Sequence, residues 1–329
     1  MLDFYRNKKV FITGHSGFKG TWLCKILLSA GAEITGYSLE TNDVRERETI
    51  IKAMQEAKPD IVFHLAAQSL VRRSYIEPAL TYETNVMGTV NILEALRFTP
   101  SVQSFINVTT DKVYENKERN FGYKESENLC GFDPYSNSKS CSELVTYSYR
   151  NSFFNGKDAP AISTARSGNV IGGGDYAEDR IIPDCIRAAE AGKEIIVRNP
   201  SSIRPYQHVL DCLSGYLLLA EKQFANKEFA GNYNFGPDDE SCVSTGALAD
   251  LFCKVWGDNI RWISQGDNGP HEANFLKLDC SKAKAVLGWK PKWDIKIAVE
   301  KTVEFAKVKT DEEKAKYMDR QIWECFNET

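Results

Sequence analysis

Two short segments of the sequence carry side chains suited to moving protons. In "VTTDKVY", a hydroxyl, an acid and a base follow one another as Thr110, Asp111 and Lys112 at the end of an apolar run. In "PYSNSKS", Tyr135 and Lys139 have the i, i+4 spacing that places both on one face of a helix. A phenol with a pKa near 10 is a weak base at neutral pH, but a nearby ammonium lowers that pKa. Tyr135 is therefore a candidate to accept a proton from an alcohol.

A glycine-rich segment, "TGHSGFKG", follows the first apolar run, "KVFIT". Its glycines have the spacing GxxGxxG, one residue wider in the first gap than the GxGxxG of dinucleotide-binding loops. The first glycine allows a tight turn, the second lets the backbone approach a pyrophosphate, and the third allows a helix to pack closely on the sheet. Because the segment joins a predicted strand to a predicted helix, it predicts a dinucleotide site. The predicted contacts here are Gly14, Gly17, Phe18, Lys19 and Gly20.

The adenosine end of such a cofactor is predicted near the end of the second strand. Glu40 stands where an acidic residue commonly binds the ribose hydroxyls of NAD, although an exposed charged loop explains it equally well. Asp43 and Val44 are alternative contacts, and the neighbouring Arg45 leaves NADP open beside NAD. With the cofactor present, Tyr135 would take a proton from a substrate alcohol while the carbon of that alcohol gives up a hydride.

Strand-like and helix-like segments alternate in the first half of the chain. Alternation of this kind predicts βαβ units and a parallel sheet. We therefore predict an α/β fold: a Rossmann-type doubly wound parallel sheet with a smaller mixed α/β substrate-binding lobe. The predicted domains are 1–169 with a return segment 209–236, and a second lobe of 170–208 and 237–329. The predicted strands are 9–13, 33–39, 60–65, 104–109 and 161–166, and the predicted helices are 17–30, 49–57, 82–98 and 138–151.

Composition narrows the classes of function. The chain has 329 residues, 42% of them hydrophobic, and a net charge of −4, which gives no electrostatic reason to expect nucleic acid or an anionic membrane as partner. No apolar run approaches the ~20 residues of a membrane span. Nine scattered cysteines without a CxxC pair predict free thiols in a reducing cytoplasm and no metal site. The start of the chain enters a strand almost directly, so we expect no secretion signal.

Several motifs together resemble the extended short-chain dehydrogenase/reductase family. They are "TGHSGFKG", "HLAAQ", "NVMGT" and "YSNSK". Further stretches, "AAQSLVRRSY", "TTDKVYEN", "RSGNVIGGGDYAEDRIIPD" and "RPYQHVLD", resemble its sugar-nucleotide 4,6-dehydratases from about residue 8 to 305. The resemblance implies NAD as cofactor, with Tyr135 and Lys139 also contacting it. It adds cofactor contacts in the loop after the third strand, at Leu65, Ala66 and Ala67.

The resemblance also implies what the acid and base after the fourth strand do. In this family the reactive tyrosine is paired with a Ser or Thr on the fourth strand, which is Thr110 here. The dehydratases place an acid–base pair directly after it, Asp111 and Lys112 in this chain. Lys112 would remove a proton from the sugar carbon C5, and Asp111 would protonate the departing C6 hydroxyl. Simple epimerases of the superfamily lack such a pair.

The implied substrate is a nucleotide sugar, with CDP-glucose favoured and dTDP- or GDP-sugars as alternatives. Asn169 matches a family asparagine that contacts the sugar nucleotide. Arg180 and Arg204 are candidates for its diphosphate, since arginine binds phosphate through two parallel hydrogen bonds. His208 is a further candidate for the same site, with a structural role as the alternative. The resemblance also implies a homodimer or homotetramer formed through the helices 82–98 and 138–151.

The sequence departs from the dehydratase pattern in two ways. Tyrosines stand at 176 and 206, where tryptophan is expected, and the connection after Leu39 is short. Two rival interpretations stay open besides another nucleotide: an epimerase or reductase of the same fold, and a catalytically silent NAD-binding regulatory protein.

Overall fold

The computed structural model describes residues 1–266, 269 and 273–327. Its strands are β1 Lys9–Thr13, β2 Glu33–Tyr37, β3 Ile61–His64, β4 Ser104–Thr110, β5 Ala161–Ser167, β6 Asn169–Ile171, β7 Ile195–Val197, β8 Ile203–His208, β9 Asn232–Phe235, β10 Cys242–Ser244 and β11 Trp262–Ser264. Its α-helices are α1 Phe18–Ser29, α2 Arg47–Ala57, α3 Val71–Ile76, α4 Pro78–Tyr82, α5 Gly88–Arg97, α6 Pro134–Phe153, α7 Ile181–Glu190, α8 Val209–Ala225, α9 Thr245–Trp256, α10 Ile295–Lys307 and α11 Asp311–Asn327.

The main sheet has six parallel strands in the order β2-β1-β3-β4-β5-β9. One apolar core joins the sheet to α1 and α8, and a second joins its other face to α2 and α5. The sheet is therefore doubly wound, as the sequence predicts. The chain moves to opposite sides of β1 when it forms β2 and then β3. Ligands of such sheets bind at this reversal, beyond the carboxyl ends of the strands.

A smaller lobe stands beside the main sheet. It contains the three-stranded sheet β10-β8-β6 and the pair β11-β7, packed with α7, α9 and α10 around a third apolar core. The C-terminal part of the chain packs on the main domain as well as on this lobe, because Trp289, Trp293 and Ile322 belong to the core of α1 and α8. Among the described residues, no helix has the length and apolar character needed to cross a bilayer.

Two predicted helices have different limits in the structure. The predicted helix 82–98 is α4, a π-helical turn over Glu83–Met87, and then α5. In that turn Asn85 bonds both the backbone of Gln68 and the hydroxyl of Ser138, contacts that apolar periodicity does not reveal. The predicted helix 138–151 begins earlier, at Pro134. Asp133 caps it by accepting a hydrogen bond from Ser136 N, so Tyr135 lies in its first turn.

A buried ion pair holds α6 against the sheet. Glu143 of α6 and Arg166 of β5 are almost fully buried and joined by two hydrogen bonds, Nε to Oε1 at 2.9 Å and Nη2 to Oε2 at 2.8 Å. Thr109 of β4 and Thr164 of β5 donate to the same carboxylate. Burial opposes ionisation of Glu143, but the Arg166 charge and these hydrogen bonds hold its pKa below the ordinary value. The pair therefore fixes α6 relative to the ends of β4 and β5.

Removing one partner of this pair should be costly. Arg166→Met would leave the Glu143 charge uncompensated in the interior, so we expect the free energy of unfolding to fall by about 3–5 kcal/mol, measured by urea denaturation. The double variant Glu143→Leu/Arg166→Met should recover much of this loss. Arg97→Met is the matched control, because the more exposed pair of Arg97 with Glu94 should contribute less than about 1 kcal/mol. Equal losses for Arg166→Met and Arg97→Met would contradict the assigned role.

Candidate active site

The glycine-rich loop joins β1 to α1 with very little space around it. Gly14 has φ +72°, and a Cβ atom there would lie 2.8 Å from the Ala66 backbone nitrogen. A Cβ at Gly20 would lie 2.1 Å from the Gly14 carbonyl oxygen, so α1 packs directly on the turn. A side chain at Gly14 would collide with the loop that follows β3, and one at Gly20 would collide with the loop that follows β1. A pyrophosphate binds to accessible backbone N–H groups and to a helix N-terminus, and this loop and α1 provide both.

A cavity of about 1450 Å³ runs along the carboxyl ends of the main strands. It lies at the reversal of strand order and extends to the smaller lobe. Its walls include every predicted cofactor contact of the segments that follow β1 and β3: Gly14, Gly17, Phe18, Lys19, Gly20, Leu65, Ala66 and Ala67. Among these residues, Lys19 points toward Ser167 of β5 and Tyr216 of α8. Its Nζ donates to Ser167 Oγ at 2.8 Å and to Tyr216 OH at 3.2 Å. The cavity and its glycine-lined end fit an extended dinucleotide.

Tyr135, Lys139 and Thr110 meet on the wall of this cavity. Lys139 Nζ donates to the Val108 carbonyl at 3.1 Å, and Thr110 lies close enough to Tyr135 to influence the pKa of its phenol. Burial raises the pKa of Tyr135 to about 12, although the Thr110 contact opposes the rise. Burial, together with the charge of Lys19, lowers the pKa of Lys139 to about 8, and Glu143 opposes that change. The lowered tyrosine pKa expected from sequence is thus not a property of the protein alone, because desolvation outweighs the opposing effects of Thr110 and Arg180.

The acid and base after β4 form a 3-10 turn, Asp111–Val113, which Thr110 caps. Lys112 Nζ lies 3.2 Å from Asp111 Oδ1 and 3.3 Å from Asn169 Oδ1. Lys112 and Asn169 line the cavity, whereas the Asp111 side chain is fully buried and does not line it. Asp111 therefore reaches the cavity through Thr110 and Lys112 rather than directly.

The predicted substrate residues divide into two groups. Arg180 and Arg204 line the cavity. Arg180 bonds Asp175 Oδ2 at 2.9 Å and Ser69 Oγ at 3.0 Å, and Arg204 donates to the carbonyls of Ile203 and Ala273. Both arginine side chains already have hydrogen-bond partners in the protein. A bound phosphate would therefore share their N–H donors with these partners or displace the partners.

The structure does not bring His208 to the cavity, so the prediction of substrate contact is wrong for this residue. It is fully buried, packs against the rings of Trp22 and Trp293, and accepts a hydrogen bond from Leu210 N at the start of α8. Burial and the nearby Lys301 lower its pKa to about 3. His208 is a neutral helix cap, the structural alternative.

The predicted adenosine contacts are also not on the cavity wall. Glu40 is exposed, Asp43 is ion-paired with Arg45 at 2.5 Å, and Val44 is buried against Gly88. Glu40 lies within a turn in which Thr41 N and Asn42 N donate to the Ser38 carbonyl, and Asp43 and Val44 follow that turn. Their part in cofactor binding stays a prediction.

Two arginines of the cavity wall were not among the predicted site residues. Arg72 and Arg198 both approach Asp179, at 3.7 Å and 2.5 Å, near Arg180. They bring two guanidinium groups to the cavity wall, both paired with Asp179 of the same wall, and guanidinium groups suit a diphosphate. In the sequence, the features that could have indicated these two residues are the doubled arginine in "LVRRSY" and the lone arginine in "IIVRNP". In the described part of the chain, no cluster of His, Cys, Asp and Glu could hold a metal ion, and all nine cysteines are free thiols.

Comparison with known proteins identifies the class. The model of the NAD dependent epimerase/dehydratase family matches residues 10–236, so the chain belongs to this family, and its cofactor is NAD. The chain is 45% identical over 322 residues to a CDP-glucose 4,6-dehydratase of Salmonella typhimurium, covering 90% of each. It is 29% identical over 284 residues to a dTDP-glucose 4,6-dehydratase of Streptomyces antibioticus, covering 85% of this chain and 76% of the relative.

Solved structures show the same fold. The Thermus thermophilus UDP-glucose 4-epimerase complex with NAD superposes with a TM-score of 0.81 at 24% identity, over 92% of this chain and 99% of the other. The Bacillus anthracis dTDP-glucose 4,6-dehydratase complex with NAD gives 0.77 at 19% identity, over 94% and 99%. The predicted resemblance to the extended dehydrogenases and their dehydratase branch is confirmed.

The geometry of Gly14 predicts a specific effect on cofactor binding. Gly14→Ala should weaken NAD binding by roughly tenfold or more, about 1.4 kcal/mol, because its methyl group would collide with the loop at Ala66. Gly192→Ala is the control, since Gly192 also has a positive φ, +63°, but has no atom within 4 Å of the added carbon. Titration of both variants with NAD by calorimetry gives the comparison. Equal NAD affinities would contradict the placement of the pyrophosphate here.

Proposed function

We propose that this protein is a CDP-glucose 4,6-dehydratase, which converts CDP-D-glucose to CDP-4-keto-6-deoxy-D-glucose and water. The observation that carries the proposal is the convergence of Tyr135, Lys139 and Thr110 with the Asp111–Lys112 pair at one cavity. The relative with 45% identity has the same activity by name, which supports the choice of CDP-glucose.

The first step needs a base beside an alcohol. Tyr135, as phenolate, would take the proton of the C4 hydroxyl, with Thr110 sharing the hydrogen bond. Lys139 lies one helical turn away and supplies the positive charge that favours the phenolate. NAD, held by the glycine-rich loop and beside Tyr135 and Lys139, would supply hydride acceptance and hydride return within one turnover, and its positive charge would favour the phenolate as well. Because the cofactor is regenerated each time, it should stay bound.

The second step needs a base and an acid close together. A C4 ketone acidifies the C5 hydrogen, which Lys112 would remove, and the pair with Asp111 would supply the proton that leaves with the C6 hydroxyl. Lys112 must be neutral for this and Asp111 protonated. Since Lys112 Nζ and Asp111 Oδ1 are 3.2 Å apart, a single proton shift converts the ion pair into that neutral pair. Both requirements are then met without gaining or losing a proton.

The remaining parts of the proposal concern binding and assembly. Arg180, Arg204 and the additional arginines Arg72 and Arg198 would hold the diphosphate, and Asn169 would contact the sugar nucleotide. Apolar side chains exposed on the two predicted interface helices, Leu144 and Tyr147 on α6 and Met87 and Phe98 around α5, support a homodimer or homotetramer. Free cysteines and the described helices are consistent with a cytoplasmic enzyme.

The direct test is mass spectrometry of the purified protein after incubation with CDP-, dTDP-, UDP- and GDP-glucose and GDP-mannose separately, with NAD but no reductant. Loss of one water from CDP-glucose alone is the expected result. Loss from another sugar nucleotide would keep the chemistry and overturn the substrate. No loss from any would favour an epimerase, a reductase or a silent binding protein.

Lys112 provides the sharpest test of the second step. Lys112→Met should still oxidise C4 but stop before water loss, because no base removes the C5 proton. A quench with borodeuteride labels a C4 ketone, and mass spectrometry then shows whether the C6 hydroxyl is retained. Lys117→Met is the control, since the Lys117 side chain is exposed and does not line the cavity. Dehydration by Lys112→Met at the rate of the control would show that Lys112 is not the base.

A further inference from the structure

Lys19 belongs to the glycine-rich segment, but its ammonium group lies at the other side of the sheet edge. The residue is in the first turn of α1, which follows β1. Its Nζ donates to Ser167, the last residue of β5, at 2.8 Å, and to Tyr216 of α8 at 3.2 Å. In the strand order β1-β3-β4-β5, Ser167 stands three strands from β1, roughly 14 Å at the usual strand spacing. The ammonium is therefore at the end of β5 rather than at the turn after β1.

The end of β5 lies beside the residues proposed to oxidise the sugar. Ser167 is paired with Thr110 in the parallel register of β4 and β5. Tyr135 lines the cavity with Thr110, and Lys139 Nζ donates to the Val108 carbonyl of β4 at 3.1 Å. An alcohol that is oxidised loses a proton from its oxygen and a hydride from the adjacent carbon. The nicotinamide that accepts the hydride must therefore be close to the residue that accepts the proton, Tyr135.

Lys19 and Lys139 reach this end of the sheet from its two faces. Helix α1 packs on one face together with α8, whereas α6, which carries Lys139, packs with the core of α2 and α5 on the other. The two charges already act on each other, since the charge of Lys19 contributes to the lowered pKa of Lys139. A ligand group that enters the cavity beside Tyr135 is therefore exposed to both ammonium groups.

The charge of Lys19 is not neutralised by its hydrogen-bond partners. Both partners are hydroxyl groups, and burial raises the pKa of Tyr216 well above its usual value, so this phenol stays neutral. Within the part of the chain that the structure describes, no carboxylate forms an ion pair with Lys19. Burial lowers the pKa of Lys19, but the two oxygens that accept its N–H groups favour the ammonium form. Lys19 can thus repel a positive charge in the cavity.

The nicotinamide ring carries such a charge only when it is oxidised. Two like charges in a partly desolvated site repel each other more strongly than in water. Lys19 would therefore oppose binding of the positive ring of NAD, and it would not oppose the neutral ring of NADH. The difference between the two affinities is also a difference in how readily the bound cofactor accepts a hydride.

We propose that Lys19 acts on the charge of the nicotinamide rather than on the pyrophosphate: its ammonium disfavours NAD relative to NADH and so promotes hydride transfer from the substrate to the cofactor. The inference deepens the proposed function, on which it rests, because it concerns the oxidation step at the same site. In that step the hydride leaves C4 for the nicotinamide and the hydroxyl proton goes to Tyr135. Lys19 donates no proton and takes none up.

Titrations with three ligands separate the two possible roles of Lys19. NAD, NADH and ADP-ribose share the pyrophosphate, but only NAD has a positive ring, and ADP-ribose has no nicotinamide. Lys19→Gln removes the charge and keeps an N–H donor for Ser167. By calorimetry, we expect the affinity of this variant for NAD relative to NADH to be about tenfold higher than in the unmodified protein. Its affinity for ADP-ribose should change by less than about threefold.

Lys25→Gln is the matched control, because Lys25 is on the same helix but pairs with Asp319 and does not line the cavity. It should leave the NAD to NADH ratio unchanged. Lys19→Arg, which keeps a positive charge, should also keep the ratio close to that of the unmodified protein. Lys19→Met, a second variant without the charge, should show the same rise as Lys19→Gln.

Two results would overturn the proposal. An equal loss of affinity for all three ligands in Lys19→Gln would show that Lys19 binds the pyrophosphate. An NAD to NADH ratio that is unchanged in Lys19→Gln, or raised as much in Lys19→Arg, would show that the charge of Lys19 does not act on the ring. Failure of the proposed function is distinguishable, because the titrations contain no sugar nucleotide. That failure would be seen as no water loss from any sugar nucleotide, with the shift in the ratio still present.

Discussion

The ion pair of Glu143 and Arg166 is the constraint on which the site depends. Tyr135, Lys139 and Glu143 recur every four residues along α6, so one helical face carries all three. Glu143 binds Arg166 of β5 and accepts a hydrogen bond from Thr109, the neighbour of Thr110. The same carboxylate therefore sets the position of the helix that carries the tyrosine and of the strand that leads to the acid–base pair. A buried charge pair is tolerable here because its polar atoms are well supplied with hydrogen bonds.

The charges around the cavity also depend on that arrangement. Lys19, Lys139 and Lys112 come from three different elements and face the same region, and burial with mutual repulsion lowers the pKa of Lys139. Glu143 opposes this change and so helps Lys139 remain an ammonium near neutral pH. Tyr135, by contrast, is disfavoured as phenolate by burial in the protein alone. The positive charge of the cofactor is then part of what makes the tyrosine a base, which links catalysis to cofactor binding.

Local signals predicted much of the fold and of the chemistry. Short apolar runs bounded by polar residues located β1, β3, β4 and β5 to within one residue at either end. The reason is that strands buried on both faces of a parallel sheet are restricted to nearly continuous apolar sequences. The glycine spacing located the loop at the cavity because steric contact with Ala66 and Gly14 excludes larger residues. The i, i+4 spacing placed Tyr135 and Lys139 together.

What the sequence could not predict depends on distant contacts. The break at Glu83–Met87 follows from Asn85 bonding groups at 68 and 138, which no window of periodicity contains. His208 is the last residue of the second lobe's strand β8, but its side chain turns into the core of α1 and α8, between two tryptophans. Asp111 and Lys112 are adjacent in sequence, yet only Lys112 lines the cavity. Packing decides whether a side chain faces the cavity or the interior behind the cavity wall. Adjacency in the sequence does not indicate which of the two it is.

The central claim is that oxidation and reduction occur on the same sugar within one turnover of one site. The measurement is a crossover experiment: equal amounts of unlabelled CDP-glucose and CDP-glucose carrying ¹³C throughout the sugar and deuterium at C4 are converted together and analysed by mass spectrometry. The account predicts that all deuterium is found at C6 of the ¹³C-labelled product and none in the unlabelled product. Deuterium in the unlabelled product, or its loss from both, would contradict an internal hydride return.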